Sequence, residues 1–363
     1  MHMADALISP AVGGTMWAAT AVLTVYSARK LKEEMDDRKV PLMGVMGALI
    51  FAAQMINFTI PGTGSSGHLG GGLLLAVLLG PHAAFLTMAS ILTIQAMFFA
   101  DGGLLSLGCN IFNMGFFPCF IAFPLVYKRI AASGPKSIFA AALAASIAAL
   151  GIGALGVVVE TVFSAISELT FRTFVLLMLP IHLAIGVVEG LVTASIIGFV
   201  SRTRPEIFET DSYSGCPIRS SLPLTGKRNS TKSALLAVVL VAALVGGLLS
   251  WFSSTNPDGL EWAVARSSGD ADLRSARGKI HNLLAAIQKK IAFLPDYDFR
   301  KDQQEQSAVG EKTKGKDDAW PSVSAGTSIS GILGGAMSLA LAGLIGFGIR
   351  IFRRRGRQDG TEG

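Results

Sequence analysis

The sequence has few charged residues for its length. Only 15% of its 363 residues are Asp, Glu, Lys or Arg, whereas 51% are hydrophobic. A soluble globular domain has about 25% charged residues, so this composition excludes a soluble protein and predicts an integral membrane protein. The basic residues lie in short clusters between apolar stretches. Such clusters orient a protein in the lipid bilayer and do not form a surface for nucleic acid.

Cysteine and early positive charge are also scarce. The three cysteines, Cys109, Cys119 and Cys216, lie in or next to different apolar stretches and form no CxxC pair. Their spacing excludes a disulfide framework and a thiolate metal site. The first 24 residues contain no Lys or Arg, so the positively charged start of a cleavable signal peptide is absent. We therefore expect the N-terminus to be the mature one.

Long apolar stretches dominate what is present. A spanning helix needs about 20 mainly apolar residues, and nine stretches are candidates, although the third is short and rich in glycine: 11–27, 41–57, 68–80, 82–100, 103–127, 137–160, 173–200, 234–252 and 326–349. The sequence therefore predicts an all-α integral membrane protein. A seven-helix bundle is followed by two further transmembrane helices that flank an extracytoplasmic segment, 254–325.

The distribution of basic residues predicts the domains and the orientation. We divide the chain into a seven-span domain (1–200), a cytoplasmic linker (201–233), a two-span segment (234–352) and a basic tail (353–363). Connections rich in Lys and Arg alternate with connections that have few or none, which places the N-terminus outside and the C-terminus in the cytoplasm. The segment 254–325 carries eleven basic and eleven acidic residues, and we expect an amphipathic helix near 276–293.

The opening stretch "MHMADALISP" offers three nitrogen ligands to a metal ion. They are the amine of Met1, the backbone nitrogen of His2 and the imidazole Nδ1 of His2. The two chelate rings that they close are five- and six-membered, so all three nitrogens can lie in one plane around the ion. One position in the plane stays open for another residue. The alternative is a solvated terminal side chain, which is the commoner fate of a single histidine near a terminus.

His68, in the stretch "GTGSSGHLGGG", is the expected fourth ligand. The predicted topology puts it on the same outer side of the membrane as His2, and the glycines allow a close approach of backbone. Helix packing through Gly67 and Gly71 is the alternative use of these glycines. A planar site of nitrogens suits Ni²⁺ or Cu²⁺, and Co²⁺ less well, whereas Zn²⁺ prefers a tetrahedron.

Other polar residues at membrane depth are candidates for the ion pathway or for the surroundings of the ligands, because such residues are costly there. His182 and Glu189 are seven residues apart in one apolar stretch, so they share a helix face. A polar pair that faces the bundle interior is the alternative to direct metal contact. Asp101, Asn110 and Asn113 are better interpreted as turn residues or as hydrogen-bond partners of the ligands.

Several stretches carry a resemblance to a known family: "MHMADALISP", "VPLMGVMGALIFAAQMINFTIPGTGSSGHLGGG", "LLGPHAAFLTM", "FADGGLLSLGCNIFNMGF" and "HLAIGVVEGLVTA". Over about residues 1–200 the chain resembles the NikM/CbiM metal-capture subunits of energy-coupling-factor transporters. The stretch "NPDGLEWA" (256–263) resembles the PDGLE domain of NikN-type accessory subunits. The whole chain therefore resembles a fused NikMN protein, with a departure from the family pattern at Ala6.

The resemblance implies a transporter subunit and not an enzyme. It implies that Met1, His2 and His68 bind the transported ion, Ni²⁺ or Co²⁺, in a square plane. It also implies a transmembrane coupling subunit and cytoplasmic ATPase subunits as partners, in the inner membrane of a bacterial cell. No nucleotide is expected on this chain, because "GEKTKGKD" has Asp317 where a phosphate-binding loop needs Ser or Thr.

Three alternatives remain open at this stage. A cobalt importer subunit for cobalamin biosynthesis would use the same ligands as a nickel importer subunit. A stand-alone secondary permease would instead use His182 and Glu189 and need no ATPase. A membrane sensor would use 254–325 as its ligand module.

Overall fold

The computed structural model describes residues 2–34, 36, 39–166, 170–203, 231–268, 278–300 and 321–358. The longer helices and the two strands in these ranges are α1 Pro10–Glu34, α2 Lys39–Gln54, β1 Phe58–Ile60, β2 Ser65–Gly67, α3 Gly72–Leu79, α4 Pro81–Phe98, α5 Leu107–Ile111, α6 Lys128–Ala131, α7 Ile138–Ser164, α8 Phe171–Thr203, α9 Thr231–Gly247, α10 Gly259–Ser268, α11 Lys279–Ile291 and α12 Ala325–Gln358. A π-helical segment, Phe112–Tyr127, joins α5 to α6 and contains Pro118 and Pro124. The helix α11 confirms the predicted amphipathic helix.

The predicted membrane protein is all-α in its spanning parts, but nine spans are not confirmed. Five helices of the described ranges are long and apolar enough to cross a membrane: Pro81–Phe98, Leu107–Ala131, Ile138–Ser164, Phe171–Thr203 and Ala325–Arg353. The apolar helix α2 has 16 residues, which is short of the length that a span needs. Most of the linker 201–233, the end of the tail 353–363 and the residues 301–320 lie outside the described residues.

The prediction of a spanning helix at 68–80 is wrong. The helix in this stretch, α3, has only eight residues, and all of them are buried. Gly71, with φ +78°, lies in the left-handed region just before it, and Gly80, with φ +80°, ends it. A helix of this length rises about 12 Å, less than half of the hydrocarbon thickness. The backbone between β2 and α3 is irregular, so the rest of the stretch does not lengthen the helix.

A short antiparallel hairpin precedes this irregular backbone. Strand β1 pairs with β2 in the register Phe58↔Gly67, Thr59↔Ser66 and Ile60↔Ser65. Gly62 (φ +79°) and Gly64 (φ +75°) make the turn between them. The hairpin thus delivers His68, directly after β2, into the protein interior.

Small residues let the helices pack closely. A Cβ added at Gly186 or Gly190 of α8 would lie 2.7 Å from Ile147 Cα or 2.6 Å from Leu143 Cα of α7. These two glycines, four residues apart on one face, follow the pattern of close helix contacts in membranes. The helix α12 packs against α2 in the same way, because a Cβ at Gly44 would lie 2.9 Å from the Leu339 carbonyl oxygen. The last helix therefore packs directly against the first bundle.

Candidate metal centre

The N-terminal segment is inserted into the bundle next to the start of α5. The Met3 side chain is fully buried. Its backbone N–H donates to Asn110 Oδ1 at 2.8 Å, and its carbonyl accepts from Asn110 Nδ2 at 3.2 Å and from the Gly103 N–H at 2.9 Å. The Ser106 N–H donates to Asp5 Oδ1 at 2.9 Å. These bonds satisfy the extended backbone on both sides of Met3 and thereby hold His2 in place.

His2 and His68 meet, as the predicted topology allows. Their rings stack with centroids 5.1 Å apart and an interplanar angle of 27°. His2 Nε2 lies 3.1 Å from Gln95 Oε1, and His2 Nδ1 lies 3.4 Å from Asp101 Oδ1. Met1, the third predicted ligand residue, lies outside the described residues.

Two glutamines set the tautomer of His2. Gln54 Nε2 donates to the Gly70 carbonyl at 2.8 Å, and Gln95 Nε2 donates to Gln54 Oε1 at 2.9 Å. The oxygen of Gln95 is therefore the atom that faces His2, so it accepts a hydrogen bond from Nε2–H. In the neutral ring this leaves the lone pair on Nδ1. Nδ1 is the nitrogen that closes the six-membered chelate ring, and a lone pair facing the Asp101 carboxylate favours a cation there.

A backbone carbonyl sets the tautomer of His68. Nδ1–H of His68 donates to the Leu69 carbonyl at 3.0 Å, because a carbonyl oxygen can only accept. The lone pair is therefore on Nε2. Burial lowers the pKa of His68 and of His2 below the ordinary value of an imidazole. Burial thus favours the neutral form of both rings, which is the form that binds metal ions.

Glu189 anchors the backbone that carries His68. Its Oε2 accepts from the Gly70 N–H at 2.7 Å, and its Oε1 accepts from the Gly71 N–H at 3.2 Å. The side chain is buried, as is that of His182 on the same helix. His182 Nδ1–H donates to the Met178 carbonyl at 2.8 Å. The predicted shared face therefore exists, and Glu189 on it contacts the His68 loop through hydrogen bonds.

The segment after α9 covers the site. Tyr297 OH donates to Asp101 Oδ2 at 2.5 Å, and Gln288 Nε2 of α11 donates to the carbonyls of Ala96 and Gly102 at 2.8 and 2.7 Å. His281 Nε2–H donates to the Ile8 carbonyl at 2.9 Å. The N-terminal segment after His2 is therefore in contact with the second half of the protein. The end of α4 and the connection that follows it are in contact with it as well.

Backbone strain marks the contact with Asp101. Ala100 (φ +55°), Asp296 (φ +53°) and Tyr297 (φ +59°) are non-glycine residues in the left-handed region. The Asp296 N–H donates to the Phe99 carbonyl at 2.9 Å, which joins the two strained turns. Strain of this kind persists only where surrounding contacts enforce it, and it is frequent at functional sites.

A cavity of about 920 Å³, which we call the vestibule, lies between the two halves of the chain. Both His2 and His68 line it, together with five carboxylates: Asp5, Asp101, Asp258, Glu261 and Asp296. Acidic walls of this kind raise the local concentration of cations. The vestibule can therefore admit a divalent cation to the two histidines.

Side chains alone do not complete a metal site in the part of the chain that the structure describes. No group of three or more His, Cys, Asp or Glu side chains in these ranges is arranged to hold an ion. The sequence did not single out Gln54, Gln95 or Asp258. Gln54 and Gln95 could have been found, because a polar amide side chain within an apolar stretch is often functional.

Two family patterns match this chain. The pattern described as "Cobalt uptake substrate-specific transmembrane region" matches residues 2–207. The PDGLE domain pattern matches residues 232–351.

Individual relatives agree with these matches. A putative metal transport protein of Haloquadratum walsbyi is 36% identical over 215 residues, which is 58% of this chain and 94% of that protein. A putative fused nickel transport protein NikMN of Archaeoglobus fulgidus is 34% identical over 222 residues, which is 59% of this chain and 70% of that protein. A crystal structure of a transition metal transporter is similar with a TM-score of 0.51 and 27% identity, and it covers 58% of this chain and 96% of that one.

Proposed function

We propose that this chain, which belongs to the CbiM family of cobalt-uptake substrate-specific transmembrane regions, captures the ion for an ATP-driven importer of the energy-coupling-factor type. The protein is a membrane protein of metal transport with a PDGLE domain after the CbiM region. The observation that carries the proposal is the pair His2 and His68. Their rings stack, and their hydrogen bonds direct a lone pair of each ring away from its backbone or amide partner.

The ion is held in a square plane in this proposal. Its four ligands are the Met1 amine, the His2 backbone nitrogen, His2 Nδ1 and His68 Nε2. The hydrogen bonds of Gln95 and Leu69 support the choice of nitrogen in each ring. Asp101 Oδ1, 3.4 Å from His2 Nδ1, then lies beside the bound ion and balances part of its charge.

Nickel is the favoured ion. Four nitrogens in a plane suit Ni²⁺ better than Co²⁺, and the similarity to a protein named for nickel transport agrees with this. The matched family pattern is named for cobalt, so a cobalt importer subunit is the second candidate. The relative affinities of the purified protein for the two ions decide between them.

The partners follow from the same proposal. A transmembrane coupling subunit and cytoplasmic ATPase subunits supply the energy, and this chain binds no nucleotide. It lies in the inner membrane with its N-terminus outside and its C-terminus in the cytoplasm. The domain boundaries are those of the sequence analysis, with the linker at 201–233. The hydrogen bonds of Glu189 to two backbone N–H groups argue against a secondary permease, because that carboxylate already has a structural role.

Nickel uptake in cells tests the proposal. Cells that express this chain with its coupling and ATPase partners should accumulate radioactive nickel. Cells with an ATPase subunit that cannot hydrolyse ATP should not. Uptake that persists without ATP hydrolysis would identify a secondary permease and contradict the proposal.

A further inference from the structure

A second, smaller cavity lies behind His68. It has a volume of about 10 Å³, which is about the room that one water molecule or one small ion needs. Its lining includes His68, His182 and Asp258, which come from three separate parts of the chain. The rest of the lining is glycine and apolar side chains: Gly67, Gly70, Met114, Leu150, Ile185 and Gly259.

His182 is one of the buried residues that line this cavity. Only 1% of the residue is exposed to solvent. Its Nδ1–H is bound to the Met178 carbonyl at 2.8 Å, so in the neutral ring the lone pair is on Nε2. A histidine in an apolar span is costly, and the bond to Met178 accounts for only one of its two nitrogens. The other nitrogen has the chemistry of a ligand.

Backbone pairing with the hairpin fixes Asp258 at the same cavity. The Ser66 N–H donates to the Pro257 carbonyl at 2.8 Å, and Ser66 and Asp258 form a parallel bridge. Asp258 also precedes α10, where its Oδ1 accepts from the Glu261 N–H at 2.7 Å. The next residue, Gly259, packs on His182, because a Cβ added there would lie 3.1 Å from His182 Cε1. Asp258 therefore has a fixed place in the lining that it shares with both histidines.

His68 and Asp258 are the residues that line both the vestibule and the small cavity. The two cavities therefore adjoin at these two side chains. A nitrogen ligand and a carboxylate are suitable donors for a divalent transition metal ion.

From these contacts we propose a second, weaker binding position for the transported ion, formed by His182 Nε2 and Asp258 in the small cavity behind His68. The inference rests on the proposed function, because it concerns the same ion. Two protein ligands hold an ion more weakly than the four ligands of the proposed square plane, which allows the ion to leave again. Because Asp258 belongs to the PDGLE region, this position is complete only when both halves of the chain are present.

Equilibrium dialysis of the full chain with radioactive nickel tests the proposal. The protein is purified with its tag at the C-terminus, and the wild type should bind one ion tightly and a second at least tenfold more weakly. Asp258→Asn keeps a residue that is well suited to precede a helix but removes the charge, and His182→Gln removes the ring nitrogen. Each should lower the affinity for the second ion at least tenfold, and His182→Gln, which is not part of the vestibule lining, should retain the first.

Two matched variants control for general effects. Asp298→Asn makes the same change in the second half of the chain away from the small cavity, and His82→Gln replaces a buried histidine that contacts Tyr26 instead. Both should retain the two ions. A wild type that binds one tight ion and no second one overturns the inference and leaves the proposed function standing. Retention of the second ion by both site variants also overturns it. Loss of even the tight ion from the wild type refutes the proposed function itself.

Discussion

Replacing Glu189 by Gln should weaken metal binding at His68, although neither oxygen of the Glu189 carboxylate is a proposed ligand. Both oxygens of Glu189 accept backbone N–H groups, from Gly70 at 2.7 Å and from Gly71 at 3.2 Å. A glutamine keeps one acceptor and turns an NH₂ group toward the other N–H. A buried N–H group without an acceptor costs about 1–3 kcal/mol. The backbone next to His68 thereby loses one of the two hydrogen bonds that hold it in place.

The expected loss of affinity follows from this cost. If about 2 kcal/mol of the cost falls on the arrangement that binds the ion, the affinity decreases about 30-fold. Isothermal titration of the full chain with nickel measures the change. Glu160→Gln is the matched control, since Glu160 is a buried acid of α7 that accepts from Asn113 Nδ2 at 2.7 Å and does not contact the His68 loop. Wild-type affinity in a folded Glu189→Gln protein, equal to that of Glu160→Gln, would refute the anchoring role.

The remaining predictions concern the surroundings of His2. Gln95→Leu removes the acceptor of His2 Nε2–H, so nickel affinity should decrease about 10-fold or more, as for other partners of metal ligands; an unchanged titration contradicts the assigned tautomer. Gly103→Ala places a methyl group against Asp5, so the N-terminal segment should undock, and faster hydrogen exchange at the Met3 N–H would report it. Tyr297→Phe removes the bond to Asp101, and nickel uptake should slow while tight binding persists; loss of tight binding would make Tyr297 part of the capture site.

Charge alternation put His2 and His68 on the same predicted side of the membrane, which allowed the two histidines to meet as they do in the structure. The sequence also predicted that His182 and Glu189 share a helix face, because seven residues are about two helical turns. Both inferences depend on patterns along one segment or on a simple count of crossings. In the structure the two histidines are in contact, and His182 and Glu189 are both buried on one helix.

Three features of the site could not be predicted from these patterns. The stretch 68–80 is apolar enough to suggest a span, but the left-handed Gly71 prevents a helix from starting before Gly72. Gln54 and Gln95 form a hydrogen bond although they are 41 positions apart in the sequence. The spacing of residues within one helix cannot predict such a contact. The approach of Asp258 to His68 depends on how two halves of the chain dock, which is a tertiary property.

The most direct test of the central claim is a nickel titration of the full chain with its natural N-terminus beside a variant extended by one residue before Met1. The account predicts tight binding and the yellow absorption of square-planar nickel for the natural chain. It predicts loss of both for the extended chain and for His68→Ala, because each change removes one ligand from the plane. Tight binding with the same absorption in the extended chain would contradict the account and direct attention to His182 and Asp258.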